Sequence, residues 1–157
     1  MQIMGDWAKG EFTAAGKTPG VDYACVAAPG TSGSFTFNID SFAFFEQSDA
    51  GAKAAQNAMA KEILGSDFQE VFNLNKGSIP ARLGMARDKF DSCAHASMDA
   101  FVASAQTGGL VPSFAHGMAL NEAVQGAIYD VATNFFNSDS SAAEGKAELI
   151  AAIQAEM

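Results

Sequence analysis

The sequence has few basic residues and no long apolar run. Its 157 residues include 9 Lys and Arg against 18 Asp and Glu, so the formal net charge is −9. A chain this acidic repels phosphate groups, which argues against nucleic acid and an anionic membrane surface as partners. No apolar stretch is long enough to span a bilayer. The first ten residues also lack the basic region and apolar stretch of a signal peptide, which on its own indicates the cytoplasm.

Cysteine is scarce as well. Only Cys25 and Cys93 are present, and they form no Cys-x-x-Cys motif. This spacing fits no zinc site. The residues alone leave two interpretations open: two buried free thiols, or one disulfide, which requires an oxidising compartment.

Recognisable enzyme motifs are missing too. Cys93 and His95 are two residues apart, so on a helix they would not face each other as a nucleophile and its base would. Residues 30–33 are not followed by the Lys-Ser/Thr of a phosphate-binding loop. No pair of carboxylates stands out for glycoside hydrolysis. Three aspartates lack EF-hand spacing: Asp88, Asp91 and Asp99. These residues therefore give little support to an enzyme or to a metal site.

What is present favours a folded α/β chain that is rich in helices. The composition is 48% hydrophobic with thirteen Phe, which we expect to fill much of the core. Residues 35–45 form the best predicted strand: its first half alternates apolar and polar, and its second half is apolar on both sides, as in a strand covered on both faces. Asp40 lies where the pattern changes. Residues 2–4 and 23–28 are weaker strands, and so few strands near the N-terminus suggest part of a larger sheet.

Helical patterns fill the chain after residue 48. Two capping boxes are predicted, at Ser66 with Gln69 and at Ser141 with Glu144. The expected helices are 50–64, 67–75, 90–106, 118–136 and 141 to the C-terminus.

Four segments, in order along the chain, resemble one protein family. Met4–Trp7 resembles a Gly-Asp-Trp or Gly-Pro-Trp segment, and Asn38–Phe42 resembles a strand that crosses between lobes. Asn75–Arg82 reads NKGSIPAR, and Val111–Gly117 contains Ala-His-Gly. Together they resemble family 1 extracellular solute-binding proteins, the glucose- and mannose-type receptors of ABC importers.

The resemblance implies a partial periplasmic-binding-protein type II fold, with the C-terminal lobe and hinge-crossing segments. We expect a single truncated region that starts within the second lobe of a longer protein, with the signal peptide in the part before it. Residues 1–40 would be strands and a loop of the C-terminal lobe, 41–85 would cross into the N-terminal lobe, and 86–157 would return. A periplasmic location follows, and it favours a disulfide between Cys25 and Cys93.

The resemblance also assigns a sugar site. A pyranose needs a flat apolar surface and well-oriented hydrogen-bond partners. Trp7 would stack on the sugar, Asp40 would accept from two hydroxyls, and His116 would donate or accept. Asn38 and Arg82 are weaker candidates. Each main candidate has an alternative: Trp7 as a core residue, Asp40 as a hinge or turn residue, and His116 as a cap of the following helix.

Two functions are therefore expected. The first is the sugar-binding component of an ABC importer, with a monosaccharide or small oligosaccharide as ligand and the membrane permease as partner. The resemblance implies that such a protein is not an enzyme and needs no metal or other cofactor. The second is a helix-rich module that associates with itself, because a missing lobe would leave apolar surface bare.

Overall fold

Six α-helices dominate the computed structural model, which describes all 157 residues. A 3-10 helix at Asp6–Ala8, here named the Trp7 turn, precedes the first of them. The α-helices are α1 (Lys9–Ala14), α2 (Ala50–Ile63), α3 (Ser66–Lys76), α4 (Ser92–Gln106), α5 (Glu122–Phe136) and α6 (Ala142–Glu156). None of these helices combines the length and apolar character needed to cross a membrane.

Two short strands form the only sheet: β1 (Phe35–Phe37) and β2 (Leu110–Pro112). The Phe35 amide donates to the Gly109 carbonyl at 2.9 Å, and the Ser113 amide donates to the Phe37 carbonyl at 2.7 Å. This pattern makes the two strands parallel. The chain is thus helix-rich with a small α/β element, as predicted at that level.

The strand predictions were largely wrong in extent. β1 covers three residues of the predicted 35–45, and the segments 2–4 and 23–28 form no strand beyond a single bridge between Pro19 and Tyr23. A strand needs a hydrogen-bonding partner along its length, and β2 is only three residues long. The segment expected to be covered on both faces is exposed, with Phe45 at 79%. Phe90 is the one buried Phe, so phenylalanine is not the main core filler.

Helix starts follow local capping chemistry. Asp49, Asp91, Asn121 and Ser141 each accept a backbone N–H of their own helix, which satisfies one of the unpaired donors of its first turn. The capping box of Ser141 with Glu144 is confirmed. The one at Ser66 was wrong, because Ser66 is already helical and Gly65 occupies the cap position. The Gln69 side chain donates instead to the Ile63 carbonyl at 2.9 Å.

The chain divides into two contact units. The first comprises Met1–Phe35 and Ile39–Leu110 and contains α1–α4, with Phe90, Cys93 and Ala94 buried. The second comprises Thr36–Asn38 and Val111–Met157 and contains α5 and α6, with Val124 and Val131 buried. The boundaries at residues 40 and 85, which refer to lobes of a longer protein, stay a prediction.

Candidate functional site

Asp40 forms an ion pair with Lys76, the last residue of α3. Asp40 is exposed and Lys76 is half-buried. The Lys76 ammonium also lies 5.7 Å from the centre of the Phe72 ring, a cation–π distance. A carboxylate beside an ammonium offers acceptors and donors at one place, which suits neighbouring hydroxyls. Lys76 was not among the site residues predicted from the sequence, although it lies in the NKGSIPAR run that pointed to the family.

Buried amides fix the loop that follows Lys76. The Ser78 hydroxyl donates to Asn73 Oδ1 at 2.6 Å, and the Ala81 amide donates to Gln69 Oε1 at 3.0 Å. Gln69 and Asn73 are 7% and 5% exposed, so these bonds replace water that the side chains have lost. Gly77 ends α3 with a left-handed φ of 87°, a conformation that glycine adopts without strain. The part of the NKGSIPAR run that follows Lys76 is therefore a loop fixed by hydrogen bonds to α3.

The Trp7 turn lies against the C-terminal end of α3. A Cβ added to Gly77 would be 3.0 Å from the Trp7 carbonyl oxygen. The indole covers Gly5, where any side chain would collide with the ring. Trp7 is half-buried, so it is not a fully buried core residue. The structure thus brings the main chain of Trp7 next to Gly77, which directly follows the residue that pairs with Asp40.

A partly buried ion pair lies beside the turn, with Lys9 buried and Asp91 half-buried. Lys9 is 8% exposed, and its ammonium lies 3.0 and 2.9 Å from the two carboxylate oxygens of Asp91. Burial alone would raise the pKa of Asp91, but hydrogen bonds from the Ala94 amide and from Lys9 hold it below its usual range.

Asp6, within the turn, shows the opposite shift. Burial raises the pKa of Asp6, and the attraction of Lys9, a hydrogen bond with Ser97 and the charge of Lys76 only partly offset this rise. The turn therefore carries a carboxylate whose ionisation costs free energy in the folded chain.

Arg82 has a different contact. Its guanidinium donates to the Leu64 carbonyl at 3.1 Å, just after the end of α2. Cationic donors at this position stabilise a helix C-terminus. This bond accounts for Arg82 without a ligand.

Asn38 and His116 lie in the second unit, whereas Trp7, Asp40 and Arg82 lie in the first. The ring of exposed His116 is held by the hydroxyl of buried Ser113, 2.7 Å from Nδ1. Amides of Gly117 and Met118 close the turn around it through 3.0 Å bonds to Phe114 and Ser113. Asn121 is the residue that caps α5, so the alternative of His116 as the helix cap was wrong. Asn38 directly follows β1 and is half-buried.

The two cysteines form a disulfide. Cys25 and Cys93 are joined across 68 residues, and no free cysteine is left. This is the pairing that the resemblance implies. Cys93 lies in the first turn of α4, two residues after Asp91, so the bond fastens the exposed loop around Cys25 to that helix.

Comparison with known proteins gives relatives that match almost the whole chain. The chain is 45% identical over 155 residues to a protein of Rhizobium meliloti and to one of Brucella suis, both named probable sugar-binding periplasmic protein. It is 36% identical over 142 residues to a Pyrococcus horikoshii protein named uncharacterized ABC transporter extracellular-binding protein. The match covers 99% of this chain but 37% of the Rhizobium and Brucella proteins, and 88% of this chain but 30% of the Pyrococcus protein. No protein-family profile matches the chain. The resemblance drawn from the motifs is confirmed: the chain is homologous to part of proteins named probable sugar-binding periplasmic proteins, and to part of one named as an ABC transporter extracellular-binding protein.

Proposed function

We propose that the chain is part of the substrate-binding component of a sugar ABC importer, located in the periplasm. It binds a monosaccharide or small oligosaccharide in a cleft between two lobes and delivers it to the permease, with no chemical change to the sugar. The observation that carries this proposal is the 45% identity over 155 residues to a protein named for sugar binding in the periplasm. The disulfide supports the location, since such bonds persist in oxidising compartments.

The first unit supplies a stacking surface and a charged pair. The Trp7 indole lies against the C–H face of the sugar, Asp40 accepts from a hydroxyl and Lys76 donates to the next one. Sugar hydroxyls then take over part of the hydrogen bonding that Asp40 and Lys76 give each other in the free chain. His116, which belongs to the second unit, stays a separate sugar-binding candidate. Asn38 and Arg82 stay minor candidates.

Calorimetry on the 157-residue chain with D-glucose, D-mannose, D-xylose and D-galactose tests the proposal. Trp7 is the only tryptophan, so its fluorescence gives a second, local measure of binding. Asp40→Asn and Lys76→Met should each raise Kd about tenfold, because each removes a charged hydrogen-bond partner. Lys89→Met is the matched control, since it breaks the surface pair with Glu70 (2.6 Å) and should leave Kd unchanged. Absence of binding to all four sugars would count against the proposal.

Self-association is a second candidate, favoured by one exposed stretch. Ile39, Phe42, Phe44 and Phe45 are 42–79% exposed within seven residues. Exposed apolar side chains this close together in the sequence favour association with another surface. Light scattering over a range of concentrations tests this function, and Phe42→Ser with Phe45→Ser should reduce any dimer. A chain that stays monomeric at every concentration contradicts it.

A further inference from the structure

Two consecutive residues fasten the Trp7 turn to two different helices. Lys9 follows the turn directly, and its buried ammonium contacts both carboxylate oxygens of Asp91, the N-cap of α4. Gly10 comes next and lies against the other helix: a Cβ added there would be 2.5 Å from the carbonyl oxygen of Lys76, at the end of α3. The turn is therefore held from both sides, by charge toward α4 and by backbone contact toward α3.

The contact with α3 is closer than any side chain allows. Real Cβ atoms essentially never approach a neighbour within 3.0 Å. A Cβ on Gly77 would collide with the Gly10 amide, so the two glycines meet with nothing between their backbones. Gly77 also needs its positive φ, but Gly10 lies in a helix with no positive φ. At that position alanine is the better helix former, so the close contact is the physical reason for glycine.

This contact joins two parts of the proposed sugar site. The Trp7 indole comes from the turn, and Lys76, which pairs with Asp40, comes from α3. A sugar that stacks on the indole while its hydroxyls meet the pair requires a fixed spacing between them, within about 0.5 Å. An added methyl group at Gly10 would push the turn away from α3 and change that spacing.

We propose that Gly10, together with the Lys9–Asp91 pair, is a positioning element that sets the spacing between Trp7 and the Lys76–Asp40 pair. The inference rests on the proposed function. In this proposal Lys9 and Gly10 act by fixing the position of the Trp7 turn, and neither contacts the sugar.

The test compares Gly10→Ala with Gly126→Ala. Gly126 lies inside α5, and a Cβ there meets nothing within 4 Å, so the control makes the same change in a helix without a collision. Two quantities are measured: the emission maximum and acrylamide quenching of Trp7 in the sugar-free chain, and Kd for D-glucose. Gly10→Ala should shift the Trp7 signal and raise Kd about tenfold, while the control changes neither.

The two readouts separate the inference from the function it rests on. Wild-type chain that binds D-glucose, with Gly10→Ala unchanged in both emission and Kd, overturns the positioning role alone. Wild-type chain that binds none of the four sugars removes the proposed function and the sugar site with it, whatever the emission shows.

Asp91→Asn provides the second variant if Gly10→Ala does not fold. Asparagine caps a helix about as well as aspartate, so α4 keeps its start, while the charge that holds Lys9 is lost. The Trp7 emission should then shift, and Kd for D-glucose should rise. Emission and Kd equal to those of the wild type would overturn the inference.

Discussion

The contacts that stabilise the two units differ in how far apart in the sequence their residues lie. In the first unit, the disulfide joins residues 68 apart, and the Lys9–Asp91 pair joins residues 82 apart. In the second, α5 packs on the next helix, α6, and each begins at its own cap, Asn121 or Ser141. The first unit therefore has two long-range side-chain links, whereas the second combines the packing of consecutive helices with one long-range backbone bond, from the Ser113 amide to the Phe37 carbonyl.

The buried residues differ in the same sense. The first unit buries four polar or charged side chains: Lys9, Gln69, Asn73 and Ser104. The second buries Val124, Val131 and one polar residue, Ser113. A buried polar group without its partner costs about 1–3 kcal/mol, so a single lost link should weigh more in the first unit.

The largest effect should come from removing the disulfide. Replacing both cysteines, Cys25→Ser with Cys93→Ser, should lower the free energy of unfolding of the first unit by about 4 kcal/mol, because the loop it closes is 68 residues long. The backbone amides of α5 and α6 should keep their protection from hydrogen exchange. Trp7 fluorescence during urea unfolding measures the first unit, and hydrogen exchange resolved by mass spectrometry measures α5 and α6.

Reductant added to the wild-type chain is the control and should reproduce the loss. If the double variant unfolds at the wild-type urea concentration, the link is not what stabilises the first unit. Equal loss of protection in α5 and α6 would contradict the contrast between the units.

The same contrast explains which features the sequence could predict. Periodicity and caps located α2 to α6 within a few residues, because these signals are local. The predicted strand at 35–45 failed because its length depends on β2, more than sixty residues away, which pairs with three residues only. Local patterns also could not show that Ile39, Phe42 and Phe45 lie exposed in this chain.

The candidate site was predictable only in part. Trp7, Asp40 and His116 came from resemblance to a family. Lys76 was missed because its importance depends on an ion pair with a residue 36 positions earlier. Gly10 carries no sequence signal for its contact with the Lys76 carbonyl, since a helical glycine reads only as a weak helix former.

A smaller effect compares two glycines within the second unit. Gly126→Ala should stabilise α5 by about 1 kcal/mol, since alanine is the better helix former and the Cβ meets nothing. In α6, a Cβ on Gly145 would lie 2.5 Å from the Phe135 ring, so Gly145→Ala must displace that ring. We expect the Gly145→Ala chain to be less stable than the Gly126→Ala chain by at least about 1 kcal/mol. Urea unfolding followed by far-UV circular dichroism measures both, and equal stabilisation by the two changes would show that α5 and α6 are not closely packed there.

The smallest expected effect compares the pH dependence of Tm for one carboxylate in each unit, Asp6 and Glu144, whose pKa values are shifted in opposite directions. Burial raises the pKa of Asp6, so its charge costs stability at neutral pH and the cost disappears as pH falls below its usual value of 3.8. Asp6→Asn should therefore raise Tm at pH 7 and lose this advantage at low pH.

Glu144 should behave in the opposite way. Hydrogen bonds from the amide and hydroxyl of Ser141 lower its pKa, so its charge contributes stability above its usual value of 4.5, and this is lost as pH falls through the lowered pKa. Glu144→Gln should thus lower Tm slightly at pH 7 and match the wild type at low pH, where both side chains are neutral. Melting curves of the three proteins from pH 2.5 to about 7 give the comparison. If Asp6→Asn lowers Tm at pH 7 as Glu144→Gln does, then the attraction of Lys9 outweighs the effect of burial on Asp6. Both carboxylates would then stabilise the folded chain in their charged form.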